Sequence, residues 1–298
     1  MKAKKILFFL FLGMTASYLK AQDLLEILDK EQKDTPLYAN STFAFSRISI
    51  GHSVETRKTG TLDIFTTNRF WNLPIERTQS FVADRMSSRI ALEYGISDRL
   101  LFGAGFTTFE ERYDAFLKYK LVRERKDGKG WPFSVSLFQN VSYYDRDFSR
   151  FGYNETLSER QGFTSQLLIA KKITPQFSLQ ISPTFIKRGL VFQETDDQDH
   201  FAIGFGARFK LGSHVSLVSE YYYVANPVDG INTYGPFSLG VNWELSDVML
   251  QFMMTNTPSM VEDAFIVETR NNFNFKPPNF NFGFNFTYTF HLKNKLRN

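Results

Sequence analysis

Eleven residues near the C-terminus alternate between aromatic and small or polar side chains without interruption. The aromatic set is Phe280, Phe282, Phe284, Phe286, Tyr288 and Phe290. Side chains alternate faces along a β-strand, so this strand has one aromatic face. At ~3.3 Å per residue the stretch is ~36 Å long, and a tilt of ~40° reduces its projection to ~27 Å. That length matches the ~25 Å apolar band of a transmembrane barrel, and the pattern predicts a lipid-facing closing strand.

The N-terminus predicts export. Three lysines precede an apolar run at residues 6–14, and Ala21 precedes a plausible cleavage point before Gln22. This order is typical of a secretory signal peptide, here residues 1–21, and the apolar run is too short to span a membrane as a helix. Export of a barrel predicts location in the outer membrane.

Composition excludes several classes of function. The net charge is +4, but the signal carries four lysines and no acid, so 35 minus four leaves 31 basic residues against 31 acidic ones. A neutral mature chain does not favour nucleic-acid binding. The absence of cysteine excludes disulfides, thiol chemistry and a lipoprotein anchor. The 33 Phe and 13 Tyr, with a negative mean hydropathy, are typical of strands that alternate lipid-facing and lumen-facing residues.

Strands and turns are predicted for residues 41–298, after a periplasmic segment at residues 22–40 that holds a short helix. Tight connections at residues 95–98, 173–176, 211–214 and 245–247 use turn-forming residues. Longer polar connections, at residues 145–162, 193–200, 226–234 and 255–279, alternate with them. Short turns at one end and long loops at the other are typical of outer-membrane barrels.

The strand count leaves alternatives. Eleven spans are predicted from Ser88 to Phe290, and residues 42–50 and 60–70 would make thirteen. Because single-chain bacterial barrels have an even number of strands, either one of these two segments does not span, or residues 71–87 or 22–40 pass through the lumen as a plug. We predict an all-β, antiparallel transmembrane barrel of about twelve strands, with fourteen as the alternative.

Four segments carry a family resemblance: Gly51–Thr56 (GHSVET), Tyr94–Leu100 (YGISDRL), Tyr113–Lys120 (YDAFLKYK) and Ala264–Thr269 (AFIVET). Over residues 40–292 the chain resembles an uncharacterised, domain-of-unknown-function family of outer-membrane β-barrel proteins from Bacteroidetes. The resemblance implies an integral outer-membrane protein and supplies no catalytic residues. The chain departs from the family in its tail, residues 291–298, which leaves Phe290 and Leu292 as alternative terminal insertion signals.

Charged side chains are predicted on the lumen face of several strands. They are Arg89, Glu93, Lys118, Lys120, Arg208, Lys210, Glu220 and Glu244. Both signs are present, so salt-bridge ladders inside a narrow barrel are one interpretation. The other is a water-filled pore with charge-based selectivity, in which the basic residues favour anions.

Few residues suggest catalysis. His52 and Ser53 invite a lipid-hydrolase hypothesis, but neighbours in an extended strand point to opposite faces. The acidic segment Gln193–His200 lacks the spacing of a metal loop, so a solvated loop is favoured. No nucleotide, zinc or serine-elbow motif occurs, and we expect no cofactor, no metal and no enzyme activity.

Three functions follow, in order of preference. The first is a small channel for passive uptake, the second a closed structural or loop-binding barrel, and the third a lipid hydrolase. The expected partners are outer-membrane lipids and lipopolysaccharide, and the barrel-assembly machinery through the C-terminal strand. The substrate, the oligomeric state and the openness of the lumen do not follow from the sequence.

Overall fold

A computed structural model describes residues 36–72, 83–109, 111–145, 156–157, 159–189, 197–273 and 280–292. The chain divides into two compact units, Met1–Tyr38 and Ala39–Asn298. Only residues 36–38 of the first unit are described, so the predicted signal peptide and short helix lie outside the described residues. The second unit contains the barrel.

The described residues form a closed antiparallel barrel of twelve strands. The strands are β1 (Thr61–Trp71), β2 (Arg85–Ser97), β3 (Leu100–Thr107), β4 (Arg112–Val122), β5 (Ser134–Tyr144), β6 (Gln161–Lys172), β7 (Phe177–Arg188), β8 (Asp199–Lys210), β9 (Val215–Val224), β10 (Phe237–Leu245), β11 (Val248–Thr255) and β12 (Asn281–His291). One helix, α1 (Glu262–Val267), lies between β11 and β12. β12 closes the barrel by pairing with β1, from Thr61↔His291 to Phe70↔Phe282.

Burial alternates along the strands as the sequence pattern predicts. In β12 the aromatic side chains face outward and the residues between them are buried inside, with Phe282 49% exposed and Asn285 1% exposed. Phe280 lies just before the strand and is half-buried. None of the described helices is long and apolar enough to cross a membrane.

The predicted count of twelve is confirmed, and the alternative of fourteen is wrong. Residues 61–70 belong to β1, while residues 42–50 pair with no wall strand. Residues 42–50 do not span and are instead buried in the lumen. The segment described in the lumen is residues 39–59. Of the alternative plug segments 71–87 and 22–40, residues 73–82 and 22–35 lie outside the described part, so that alternative stays a prediction there.

The four predicted tight connections join β2–β3, β6–β7, β8–β9 and β10–β11, all at one end of the barrel, which we name the turn end. The opposite end is the loop end.

The prediction of a polar surface loop at residues 255–279 needs correction, since residues 256–257 and 259–267 are buried and include α1. Its apolar Phe265, Ile266 and Val267 pack inward, and this hydrophobic content explains the burial.

Residues 39–59 form what we name the lumen hairpin. It enters at the turn end, where the Ala39 amide donates to the Glu124 carbonyl and the Thr59 amide to Asp98. Its two arms pair through Arg47 and His52, around a tip at residues 48–51. The hydrophobic core of the molecule therefore lies inside the barrel, where hairpin side chains pack on inner-wall ones. One such cluster joins Phe43, Ile48 and Val54 to Leu101, Phe116, Phe138, Leu168, Ala170 and Val218.

Candidate functional site: the occluded lumen

Polar side chains from most sides of the barrel bind the backbone of the lumen hairpin. They include Lys118 (β4), Ser136 (β5), Gln180 (β7), Glu220 (β9), Asn242 (β10), Gln251 (β11) and Asn285 (β12). The hairpin lacks a sheet partner for its outward-facing backbone groups, and a buried amide or carbonyl without a partner is costly. The inner wall supplies these partners, which fixes the hairpin on the barrel axis.

Glu220 holds the tip of the hairpin. One carboxylate oxygen accepts three consecutive backbone amides, from Ser49 at 2.8 Å, Ile50 at 2.6 Å and Gly51 at 3.1 Å. Consecutive amides that converge in this way form a concave anion site, and charge-assisted bonds of this kind are about twice as strong as neutral ones. Gly51 is required by close approach, since a Cβ there would collide with the Tyr222 hydroxyl.

His52 occupies an aromatic pocket next to the tip. Its ring centroid lies 4.5 Å from that of Phe116 and 4.2 Å from that of Phe138. Burial, and then the positive charge of Arg47, lower the pKa of His52 well below its ordinary 6.5. The ring is therefore neutral at pH 7.

The hairpin meets α1 at this point. The Glu262 carboxylate lies 3.5 Å from His52 Nε2 and 3.5 Å from Arg47 Nη1. Burial raises the pKa of Glu262 to about 7. Because His52 is neutral, its contact with Glu262 is not an ion pair, and Arg47 is the cation that faces this carboxylate. Arg47 also lies 3.4 Å from Glu93 on β2, so it connects the wall, the hairpin and α1.

All eight predicted lumen residues lie on the inner face. Arg89, Glu93, Lys118, Lys120, Arg208 and Glu220 are buried, and Lys210 and Glu244 are partly exposed near the turn end. The structure pairs Arg89 with Asp114, Lys120 with Glu55 and Arg208 with Glu244, at 2.5, 2.6 and 2.6 Å. Lys118 instead donates to the Ser46 and Ser53 carbonyls at 2.8 and 3.0 Å. The role of the eight predicted lumen residues in ion selectivity stays a prediction.

Several charged residues of the site were not predicted from the sequence. Asp114 and Arg112 share the inward register of Lys118 and Lys120 on β4, so strand periodicity alone was a sufficient signal for them. Arg47 and Glu262 had no such signal. They lie on inserted segments whose place in the lumen follows from tertiary contacts.

The Ser–His pair of the lipid-hydrolase hypothesis does not form. The Ser53 hydroxyl donates to the Phe45 carbonyl and accepts from the Glu55 amide, and neither His52 ring nitrogen has a hydrogen-bond partner among the described residues. Half of the acidic segment Gln193–His200, residues 193–196, lies outside the described part. His200 itself is buried at the start of β8, against the Asn226 carbonyl.

Wall and inserts differ in charge. Among the described residues, the buried charges of the wall strands comprise seven basic side chains and four acidic ones: Arg69, Arg89, Arg112, Lys118, Lys120, Arg188 and Arg208, against Asp63, Glu93, Asp114 and Glu220. The hairpin and the α1 segment bring two basic and four acidic side chains into ion pairs: Arg47 and Arg57, against Glu55, Glu262, Asp263 and Glu268. We name the hairpin and the α1 segment the inserts. Taken together, the inserts are therefore net acidic inside a net basic wall.

Comparison with known proteins gives low-identity matches. KdgM porin is 8% identical, covering 77% of this chain and 99% of that chain, with a TM-score of 0.48. An outer-membrane channel from Pseudomonas putida F1 is 14% identical, with coverages of 80% and 98% and a TM-score of 0.46. OmpT of Vibrio cholerae is 9% identical, with coverages of 79% and 100% and a TM-score of 0.38. The search of curated proteins found no match.

A family model matches residues 43–290, from the lumen hairpin to the end of the closing strand. This range includes the barrel and both inserts, and it agrees with the resemblance to an uncharacterised barrel family. The chain belongs to the family described as a membrane-bound beta-barrel domain (DUF5777), a domain of unknown function.

Proposed function

We propose that the protein is a passive uptake channel of the outer membrane, closed in this structure by the lumen hairpin and α1. The observation that carries the proposal is that segments separate from the wall fill the lumen. Inward side chains fill the interior of a barrel of about eight strands, and a wall of twelve strands is wider, so here these segments fill the remaining space. Here the filling is attached to charged wall residues that remain in place when it moves.

The anchoring of the hairpin tip supports a closed state that can open. Glu220 is a single side chain that satisfies three amides, so loss of one carboxylate weakens three of the bonds that hold the tip at once. By contrast, a hairpin held by strand pairing would have to break many backbone bonds at once. The apolar contacts of Phe43 and Val54 oppose opening and keep the resting state closed.

Planar-bilayer conductance tests the proposal. We expect the folded wild-type protein to be mostly silent, Glu220→Gln to open often, and a variant lacking residues 42–56 to conduct in steady, discrete steps. Glu244→Gln is the matched control, because this carboxylate also lies inside the barrel but bonds Arg208 rather than the hairpin tip. A folded deletion variant that stays silent, also after residues 260–270 are removed, would contradict the channel and favour a closed structural barrel.

The location and partners are part of the same proposal. We place the barrel in the outer membrane, with the aromatic face of β12 against lipid and lipopolysaccharide and the C-terminal strand as the signal for barrel assembly. We also propose that the signal peptide is cleaved after Ala21. Membrane fractionation and the mass of the mature chain test these points, and a chain that retains residues 1–21 would contradict the cleavage.

A further inference from the structure

At the loop end of the lumen, the wall binds the Asp263 carboxylate of α1. Arg112 Nη1 lies 2.5 Å from Asp263 Oδ2, and the Ser142 hydroxyl donates to the same oxygen at 2.9 Å. Arg112 on β4 pairs with Tyr144 on β5, and Ser142 lies two residues before Tyr144 on the same face, so the rigid barrel sets their spacing. The Arg112 guanidinium also stacks over the Tyr144 ring at 4.7 Å, which fixes its plane.

A second carboxylate, Glu268, lies directly after α1. It accepts a hydrogen bond from Arg188 on β7 and lies 3.9 Å from Arg112 Nη2. The Arg112 and Arg188 side chains are only 3% and 4% exposed. Two buried arginines on the wall thus hold two carboxylates from one short segment. Arginine is suited to this role because its planar donors match a carboxylate in geometry.

The wall is shaped for this occupant. Gly162 on β6 faces the Asp263 carboxylate, and a Cβ there would lie 2.5 Å from Asp263 Oδ2 and 2.7 Å from the Ser142 hydroxyl. Any other residue would fill the space that the carboxylate uses. Donors from β4, β5 and β7 and a recess on β6 therefore form a carboxylate-binding site in the wall itself.

The α1 segment is held in place less firmly than the wall residues that bind its carboxylates. α1 has six residues, and its N-cap, Val261, makes no side-chain capping bond. It belongs to the long connection between β11 and β12, whereas every wall group is fixed by strand pairing on both sides. Connecting segments open at lower free energy than paired strands. When α1 leaves, two buried guanidinium groups lose the Asp263 and Glu268 carboxylates, and this loss is unfavourable unless another anion replaces them.

We propose that Arg112, Arg188, Ser142 and Gly162 form a binding site for solutes that carry two carboxylates, and that Asp263 and Glu268 occupy it as internal stand-ins. The inference rests on the proposed channel, since it names the class of solute that the channel takes. An incoming dicarboxylate competes with α1 for the arginines. Binding then favours the state in which the loop end is open.

Isothermal titration calorimetry of the folded, full-length mature protein with succinate tests the site without any need for conduction. Asp263→Asn/Glu268→Gln keeps the shape of α1 and removes both internal charges, so succinate should bind about tenfold or more tightly than to wild type. Glu268→Gln alone should give a smaller gain in affinity. Glu262→Gln is the matched control on the same helix, because Glu262 faces Arg47 and not Arg112 or Arg188. Succinamide, the neutral diamide, should not bind to any variant.

Adding Arg112→Gln to the double variant should abolish the gain. Unchanged succinate affinity in a folded double variant, or equal binding of succinamide, would overturn the proposed site. The outcome is separable from that of the channel test. If succinate binds the double variant but the hairpin deletion does not conduct, the site stands and the channel fails; the reverse pair of results removes only the site.

Discussion

At the scale of single residues, His52 and Glu262 are an adjacent acid and base with opposed pKa shifts. Burial lowers the pKa of His52 well below 6.5 and raises that of Glu262 from 4.5 to about 7. His52 therefore contributes stability that is present above pH 6.5 and is lost as the pH falls. Glu262 contributes stability that is present below pH 4.5 and is lost as the pH rises through about 7. Between these values the two contributions oppose each other.

Single substitutions should reveal each contribution. From pH 4.5 to 6.5, Glu262→Gln leaves the His52 contribution, so the free energy of unfolding should rise with pH relative to wild type. His52→Gln leaves the Glu262 contribution, so the free energy of unfolding should fall with pH relative to wild type. Urea unfolding of the folded protein in detergent at the two pH values measures both slopes. Slopes of the same sign in the two variants would contradict the assignment of charge states.

At the scale of elements, the lumen hairpin depends on the fit of its tip against β9. Ile50 is 4% exposed, and the chain contains no native cysteine, so Ile50→Cys reports on the hairpin position without background labelling. In the seated hairpin this thiol should react slowly with a maleimide. Gly51→Ala places a Cβ against the Tyr222 hydroxyl and should unseat the tip, raising the labelling rate of Cys at position 50 by about tenfold or more.

The matched control is Gly212→Ala in the β8–β9 turn, where an added Cβ meets no atom within 4 Å. This change should leave the labelling rate unaltered. Fast labelling of Ile50→Cys in the otherwise native chain would show that the hairpin does not stay in the lumen, and a slow rate with Gly51→Ala would show that the tip tolerates displacement of Tyr222.

At the scale of the whole molecule, the charges of wall and inserts are complementary. Removal of the acidic inserts leaves a lumen with an excess of buried basic side chains. In a variant that lacks residues 42–56 and carries Glu262→Gln, Asp263→Asn and Glu268→Gln, the reversal potential in a KCl gradient should therefore indicate preference for chloride. Lys118→Glu in that background should shift the reversal potential towards cation preference, because Lys118 lies inside at the hairpin position.

Lys171→Glu is the control for this prediction, since Lys171 is exposed on the outer face of β6. It should leave the reversal potential unchanged. A conducting deletion variant without ion preference, or one in which both charge reversals act alike, would show that the wall charges do not face the ion path.

Much of the wall was predictable from residue order alone. The alternation of Phe282, Phe284 and Phe286 with small residues determines which face of β12 is outward, because a strand has a side-chain period of two. The same local rule located the inner charges and the tight turns. The even strand number of such barrels left two alternatives for the odd count of thirteen: that one of two N-terminal segments does not span, or that another segment passes through the lumen.

The segments that fill the lumen could not be predicted from the sequence, because long-range contacts place them there. Residues 42–50 have a strand-like pattern, and their place inside depends on hydrogen bonds to partners up to 236 residues away, such as Asn285 with the Ser49 carbonyl. Likewise, the pairing of Asp263 and Glu268 with Arg112 and Arg188 joins a loop to two distant strands. The sequence by itself determined the barrel, because the periodicity of a strand is local. The closed lumen and its carboxylate site depend on the tertiary structure, because they are formed by long-range contacts, which leave no periodic signal in the chain.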